Sequence, residues 1–170
     1  MIMINSIQMS EVLKTLNNWG FVDSFSVGGF EYMGFSEKNP NKLIIISSQK
    51  ETVYDCDNKS LTEAGIDIDE KEFAAMCDLF PDEIIHIASY WGGSLPHSTP
   101  QGDQVEISYY GDHVTSMGKE LRFQKILFVD ASGNKTLIYD SYPCYVCGFS
   151  HDGNYFALAD DGGLTVIRRK

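Results

Sequence analysis

Cys144-Tyr145-Val146-Cys147 holds two thiols at the spacing of a zinc knuckle or a redox pair, and Ser150-His151-Asp152 sets the three residue types of a hydrolytic triad side by side. Neither spacing delivers the chemistry. Residues three apart on a regular strand point to opposite faces, so the two sulfurs diverge, and a closed zinc site needs further ligands that no second paired motif supplies. Neighbouring triad residues cannot converge on one reacting atom, whereas Asp152-Gly153 is a hairpin-turn signal. The four histidines, His86, His97, His113 and His151, include no pair at the i, i+4 spacing of a helical metal site. Val27-Gly28-Gly29-Phe30 lacks the lysine and the glycine spacing of a phosphate loop. The residues therefore lead to no catalytic group, no metal and no cofactor.

What remains is charge. The 170 residues carry 24 acids against 13 bases, a formal charge of −11, and a field of that sign repels nucleic acid and anionic lipid while attracting a basic protein. The surplus is concentrated. Between Glu63 and Glu83 stand eight acids and one base, Lys71. Asp67, Asp69, Glu70, Glu72, Asp78, Asp82 and Glu83 are the candidate partner-binding carboxylates. Trp91 to Asp103 is a Gly/Ser/Pro-rich stretch, and an aromatic in a long loop is a common binding anchor. Trp91 and His97, with Tyr110 at the end of the next strand, join the acids as candidate contacts.

These groups need elements to hold them. Composition is that of a folded chain, with 43% hydrophobic residues, and the length suits a single domain over 1–170. The pattern is mainly β within an α+β class, built of antiparallel meanders with two short helices. One helix is expected over about 10–19, with Ser10 as N-cap, Val12, Leu13 and Leu16 on one face, and Gly20 beyond its end. The other is expected over about 69–80, where Phe73, Met76, Cys77 and Phe80 recur at helical spacing between Asp69 and Pro81. Candidate strands are Phe30–Phe35, Leu43–Ile46, Thr52–Tyr54, Ile84–Tyr90, Val105–Tyr110, Phe123–Val129, Thr136–Tyr139, Tyr145–Phe149, Tyr155–Ala159 and Leu164–Arg168.

A weak repeat links two of these meanders. Gly34-Phe35-Ser36 leads through Leu43–Ile46 to Thr52-Val53, and Gly148-Phe149-Ser150 leads through Tyr155–Ala159 to Thr165-Val166. Residues 146–169, and more weakly 32–56, resemble a blade segment of WD-repeat β-propellers, although Ile167-Arg168 stands where that family has Trp-Asp. The resemblance implies blade-like antiparallel sheet and a protein-interaction role. In general character the chain resembles the bacterial immunity proteins of contact-dependent inhibition and other polymorphic toxin systems, which are small, acidic and without catalytic motifs. That resemblance implies a cytoplasmic toxin inhibitor that occludes a basic target, such as a nuclease, without itself touching nucleic acid or membrane. An interaction scaffold with no inhibitory role is the first alternative. A small hydrolase or thiol redox enzyme using His97, His113 or the Cys144/Cys147 pair is the second.

Overall fold

The computed structural model describes residues 11–116, 119–141, 146–160 and 162–170. Runs rich in β-branched and aromatic residues, broken by Gly, Asp and Asn turns, make nearly all of it strand. In chain order the strands are β1 (Trp19–Ser26), β2 (Phe30–Phe35), β3 (Lys42–Ser47), β4 (Glu51–Asp55), β5 (Ser60–Glu63), β6 (Ile66–Asp69), β7 (Ala74–Cys77), β8 (Phe80–His86), β9 (Gln104–Ser116), β10 (Lys119–Val129), β11 (Lys135–Ser141), β12 (Val146–Phe149), β13 (Tyr155–Ala159) and β14 (Gly163–Arg169). They form four antiparallel sheets, β2-β3-β4-β5, β6-β7-β8, β11-β10-β9 and β1-β14-β13-β12.

The sheets lie one on another in a row. Ile44, Ile46 and Val53 of the β2–β5 sheet pack on Ile66, Ala75, Cys77 and Ile85 of β6–β8. The opposite face of β2–β5, with Met33, Phe35, Leu43, Ile45 and Tyr54, packs on Val22, Tyr155, Ala157, Leu164 and Val166. The far face of that third sheet, with Trp19, Phe149, Phe156, Leu158 and Ile167, packs on Val105, Ile126, Phe128 and Ile138 of β9–β11. β3 and β13 are apolar on both faces because each sits in a sheet covered on both sides. Among the described residues no cluster joins β6–β8 to β9–β11, so these two sheets are the ends of an open row.

The first and last strands lock the third sheet. β1 pairs with β14, and a buried clasp holds the pairing: Arg169 meets Asp103 at 2.6 Å and lies over the Trp19 ring, whose Nε1 donates to the same carboxylate at 3.4 Å. Both copies of the repeat occupy equivalent strands, β2-β3-β4 and β12-β13-β14. Its glycine is a crossing point. A Cβ at Gly34 would overlap the His86 carbonyl oxygen, and one at Gly148 would overlap Leu95. The segment from His86 to Pro96 thus runs over the edges of both β2 and β12, exchanging backbone hydrogen bonds between Met33 and Ala88 and accepting one from Phe149 N–H at Pro96.

Neither expected helix forms. Among the described residues only 11–13 are helical; Leu13 and Leu16 are buried as that helix required, but Trp19 already begins β1 and Gly20 pairs with Arg168 inside it. Ser10 lies outside the described residues. Residues 69–80 form the end of β6, a tight turn, β7 and the start of β8. Asp69, expected as a helix cap, caps the turn instead, its Oδ1 accepting from Lys71 N–H at 3.0 Å and Glu72 N–H at 3.2 Å. Phe73 sits at φ 48°, which ends any helical path there. The apolar residues divide as strand alternation demands, Ala75 and Cys77 inward and Met76 outward.

Candidate outer-face groove

Three strands set the geometry of the β6–β8 outer face. Ile66 and Ile68 of β6, Ala75 and Cys77 of β7, and Ile85 of β8 point into the core, so their neighbours Asp67, Asp69, Met76, Ile84 and His86 point out. Together with Glu72 from the turn they line a groove of about 550 Å³. Its floor is apolar and bare: Met76 is 54% and Ile84 64% exposed. Its rim is acidic, and no cation among the described residues pairs with Asp67, Asp69 or Glu72. A face that combines uncovered aliphatic side chains with unneutralised carboxylates suits the aliphatic stem and charged head of lysine or arginine.

The expected contact residues divide between this face and the frame. Glu70, on the β6–β7 turn, accepts from the Tyr32 hydroxyl at 3.3 Å, and burial, reinforced by that carboxylate, raises the Tyr32 pKa. Asp78 and Asp82 are exposed near the other end of the sheet. Glu83 is a correction. It is buried and clamps the turn after β2, accepting from Ser36 Oγ at 2.7 Å, Glu37 N–H at 2.6 Å and Lys38 N–H at 3.3 Å. Trp91, partly exposed, stands edge-on to Tyr90 in a tight turn whose Gly92 lies against the Phe73 ring, beside the turn that bears Glu70 and Glu72.

His97 and Tyr110 lie elsewhere. His97 directly follows the segment that crosses β12; burial lowers its pKa, and a hydrogen bond with the Cys147 backbone opposes that. Tyr110 belongs to β9, in the sheet at the opposite end of the row, where its hydroxyl donates to Asp140 and its ring stacks on Phe123. The acids and Tyr110 therefore do not share a surface. The aliphatic floor, Met76 and Ile84, was not anticipated. Alternation read strand by strand, with Ala75 and Cys77 inward in β7 and Ile85 inward in β8, sets both on the outward face.

The groups that suggested reactions are built into turns or sealed in the core. Ser150, 1% exposed, donates from Oγ to Asp152 at 2.6 Å, and Asp152 in turn accepts from Asn154, while His151 faces Glu37 at 3.8 Å. Burial pushes the thiols of Cys56 and Cys147 up to about 12 and also raises that of Cys77, so none is a thiolate at neutral pH. Cys144 lies outside the described residues. Among the described residues no three His, Cys, Asp or Glu groups are placed to hold a metal ion, and no helix is long and apolar enough to cross a membrane. The chain matches no protein-family model, no curated protein and no solved structure.

Proposed function

We propose that the chain is a binding protein that neutralises a cognate basic toxin, a nuclease being the natural case, by covering its cationic active site with the outer face of β6–β8. The observation that carries this reading is the groove whose aliphatic floor, Met76 and Ile84, is ringed by Asp67, Asp69 and Glu72, with which no cation among the described residues pairs. The net charge of −11 accelerates encounter with a positively charged target, and the carboxylates stand where the target would otherwise hold phosphates. Burial of Met76 and Ile84 then holds the complex, with Trp91 at its margin.

Co-expression with a basic toxin, sought first among the products of neighbouring genes, tests the reading. The wild-type chain restores growth, and Met76→Lys with Ile84→Lys abolishes protection while the purified variant keeps its thermal midpoint. Equal protection by that double variant would remove this face from the account. A toxin unaffected by the wild-type chain would favour an interaction scaffold with no inhibitory role.

A further inference from the structure

The β6–β8 sheet has three strands where its neighbour has four, and β6 is an open edge. Asp78 N–H donates to the Gly65 carbonyl at 2.9 Å, which fixes the phase of the ladder. In the register Asp67↔Met76 and Asp69↔Ala74, those pairs exchange the hydrogen bonds, and the N–H and C=O groups of Ile66 and Ile68 turn away from β7. One of the four is capped, Ile66 N–H donating to Glu51 Oε2 at 2.8 Å. No group among the described residues pairs with the Ile66 carbonyl or with either backbone group of Ile68. An unpaired edge beside two outward carboxylates on the same strand is a template for an added strand.

We infer that the partner supplies an extended segment that pairs with β6 as a fourth strand, carrying Lys or Arg at alternate positions. Cross-strand neighbours on one face stand about 5 Å apart, so cations two residues apart in the segment fall beside Asp67 and Asp69. The segment's backbone meets Ile68 N–H and C=O and the Ile66 carbonyl. The Glu51 cap blocks pairing beyond Ile66 and so sets the register. This inference rests on the proposed basic partner and adds its mode of attachment.

The probe is acetyl-Arg-Val-Arg-Val-Arg-Val-amide, titrated into the intact wild-type chain at about 50 mM salt. A second peptide has the same sequence N-methylated at alternate residues, so that its charge is kept and its β6-facing donors are lost. The expected result is that methylation weakens binding at least tenfold and that the unmethylated peptide slows hydrogen exchange at the Ile68 amide. Equal affinity of the two peptides, with shifts confined to Met76 and Ile84, overturns strand addition and leaves the groove reading standing. Absence of binding by both peptides overturns strand addition and the groove reading together.

Discussion

The two sheets at the ends of the row each bury one face and turn the other to solvent, and they treat that outer face in opposite ways. On β9–β11 the charges answer one another: Lys135 pairs with Glu106 at 3.0 Å, Lys125 stands 3.9 Å from Asp140 and 5.8 Å from the Tyr110 ring centroid, and Tyr110 donates to Asp140. On β6–β8 the carboxylates Asp67, Asp69 and Glu72 surround bare Met76 and Ile84, and no cation among the described residues pairs with them. A surface that satisfies itself gains nothing from a partner. One left both charged and apolar does, and that difference is the ground on which the β6–β8 face is proposed as the binding surface.

Four changes test that difference, and the largest concerns what the two sheets share. Phe128, on the buried side of β9–β11, meets Trp19, Phe149 and Phe156 at centroid distances of 5.6, 5.7 and 5.5 Å. Phe128→Ala should cost about 3–5 kcal/mol in denaturant unfolding, against less than about 0.5 kcal/mol for Ile84→Ala on the outer face of β6–β8. Equal losses would mean that Ile84 is a core residue and its face is not free. Next in size, Ile84→Lys should weaken toxin binding by about 100-fold in calorimetry, because it puts a cation on the floor meant for one, with no loss of stability.

The third change separates paired from unpaired carboxylates. Lys42, whose Nζ lies 2.5 Å away, holds the Asp55 carboxyl below its ordinary range, aided by Asn58. A depressed folded pKa stabilises the fold above the unfolded value of about 3.9 and loses that contribution as pH falls through the folded value. Asp55→Asn should therefore lower stability at pH 7 and flatten the acid limb below about pH 4, as acid titration followed by circular dichroism would show, whereas Asp67→Asn, at a carboxylate with no ion pair among the described residues, should change stability at pH 7 by less than about 0.5 kcal/mol in denaturant unfolding. Smallest is Lys135→Met on the self-paired face: an exposed ion pair is worth about 0.2–1 kcal/mol, and toxin affinity should not move.

Much of this frame was legible in the chain. Leu43–Ile46 and Tyr155–Ala159 are continuous apolar runs, and each became a strand covered on both faces. The repeat was legible because its glycine, phenylalanine and serine each answer a local demand: a close backbone crossing at Gly34 and Gly148, a buried ring at Phe35 and Phe149, and a turn-capping hydroxyl at Ser36 and Ser150. The β6–β8 sheet was misread because Phe73, Met76, Cys77 and Phe80 satisfy helical spacing by coincidence, and an aspartate before a turn looks the same as one before a helix. Its short strands, four residues in β6 and four in β7, give alternation little room to show.

The candidate site was legible in part. The acids were visible as a run, and Asp67, Asp69 and Glu72 share the groove. Glu83 was not separable from them, since the Ser36, Glu37 and Lys38 groups that bury it come from a turn nearly fifty residues earlier. That Tyr110 stands on a different sheet from the acids was not legible for a related reason, because which sheets become the ends of the row depends on long-range pairing such as β1 with β14.

The most direct measurement is the rate at which the toxin associates with the wild-type chain and with the triple variant Asp67→Asn, Asp69→Asn, Glu72→Gln, at about 50 and about 500 mM salt. The wild-type rate should fall at least about tenfold across that range, and the variant should start slow and stay nearly flat. If the variant keeps the wild-type rate and salt slope, the carboxylates of the β6–β8 face do not meet a cationic partner, and the account fails.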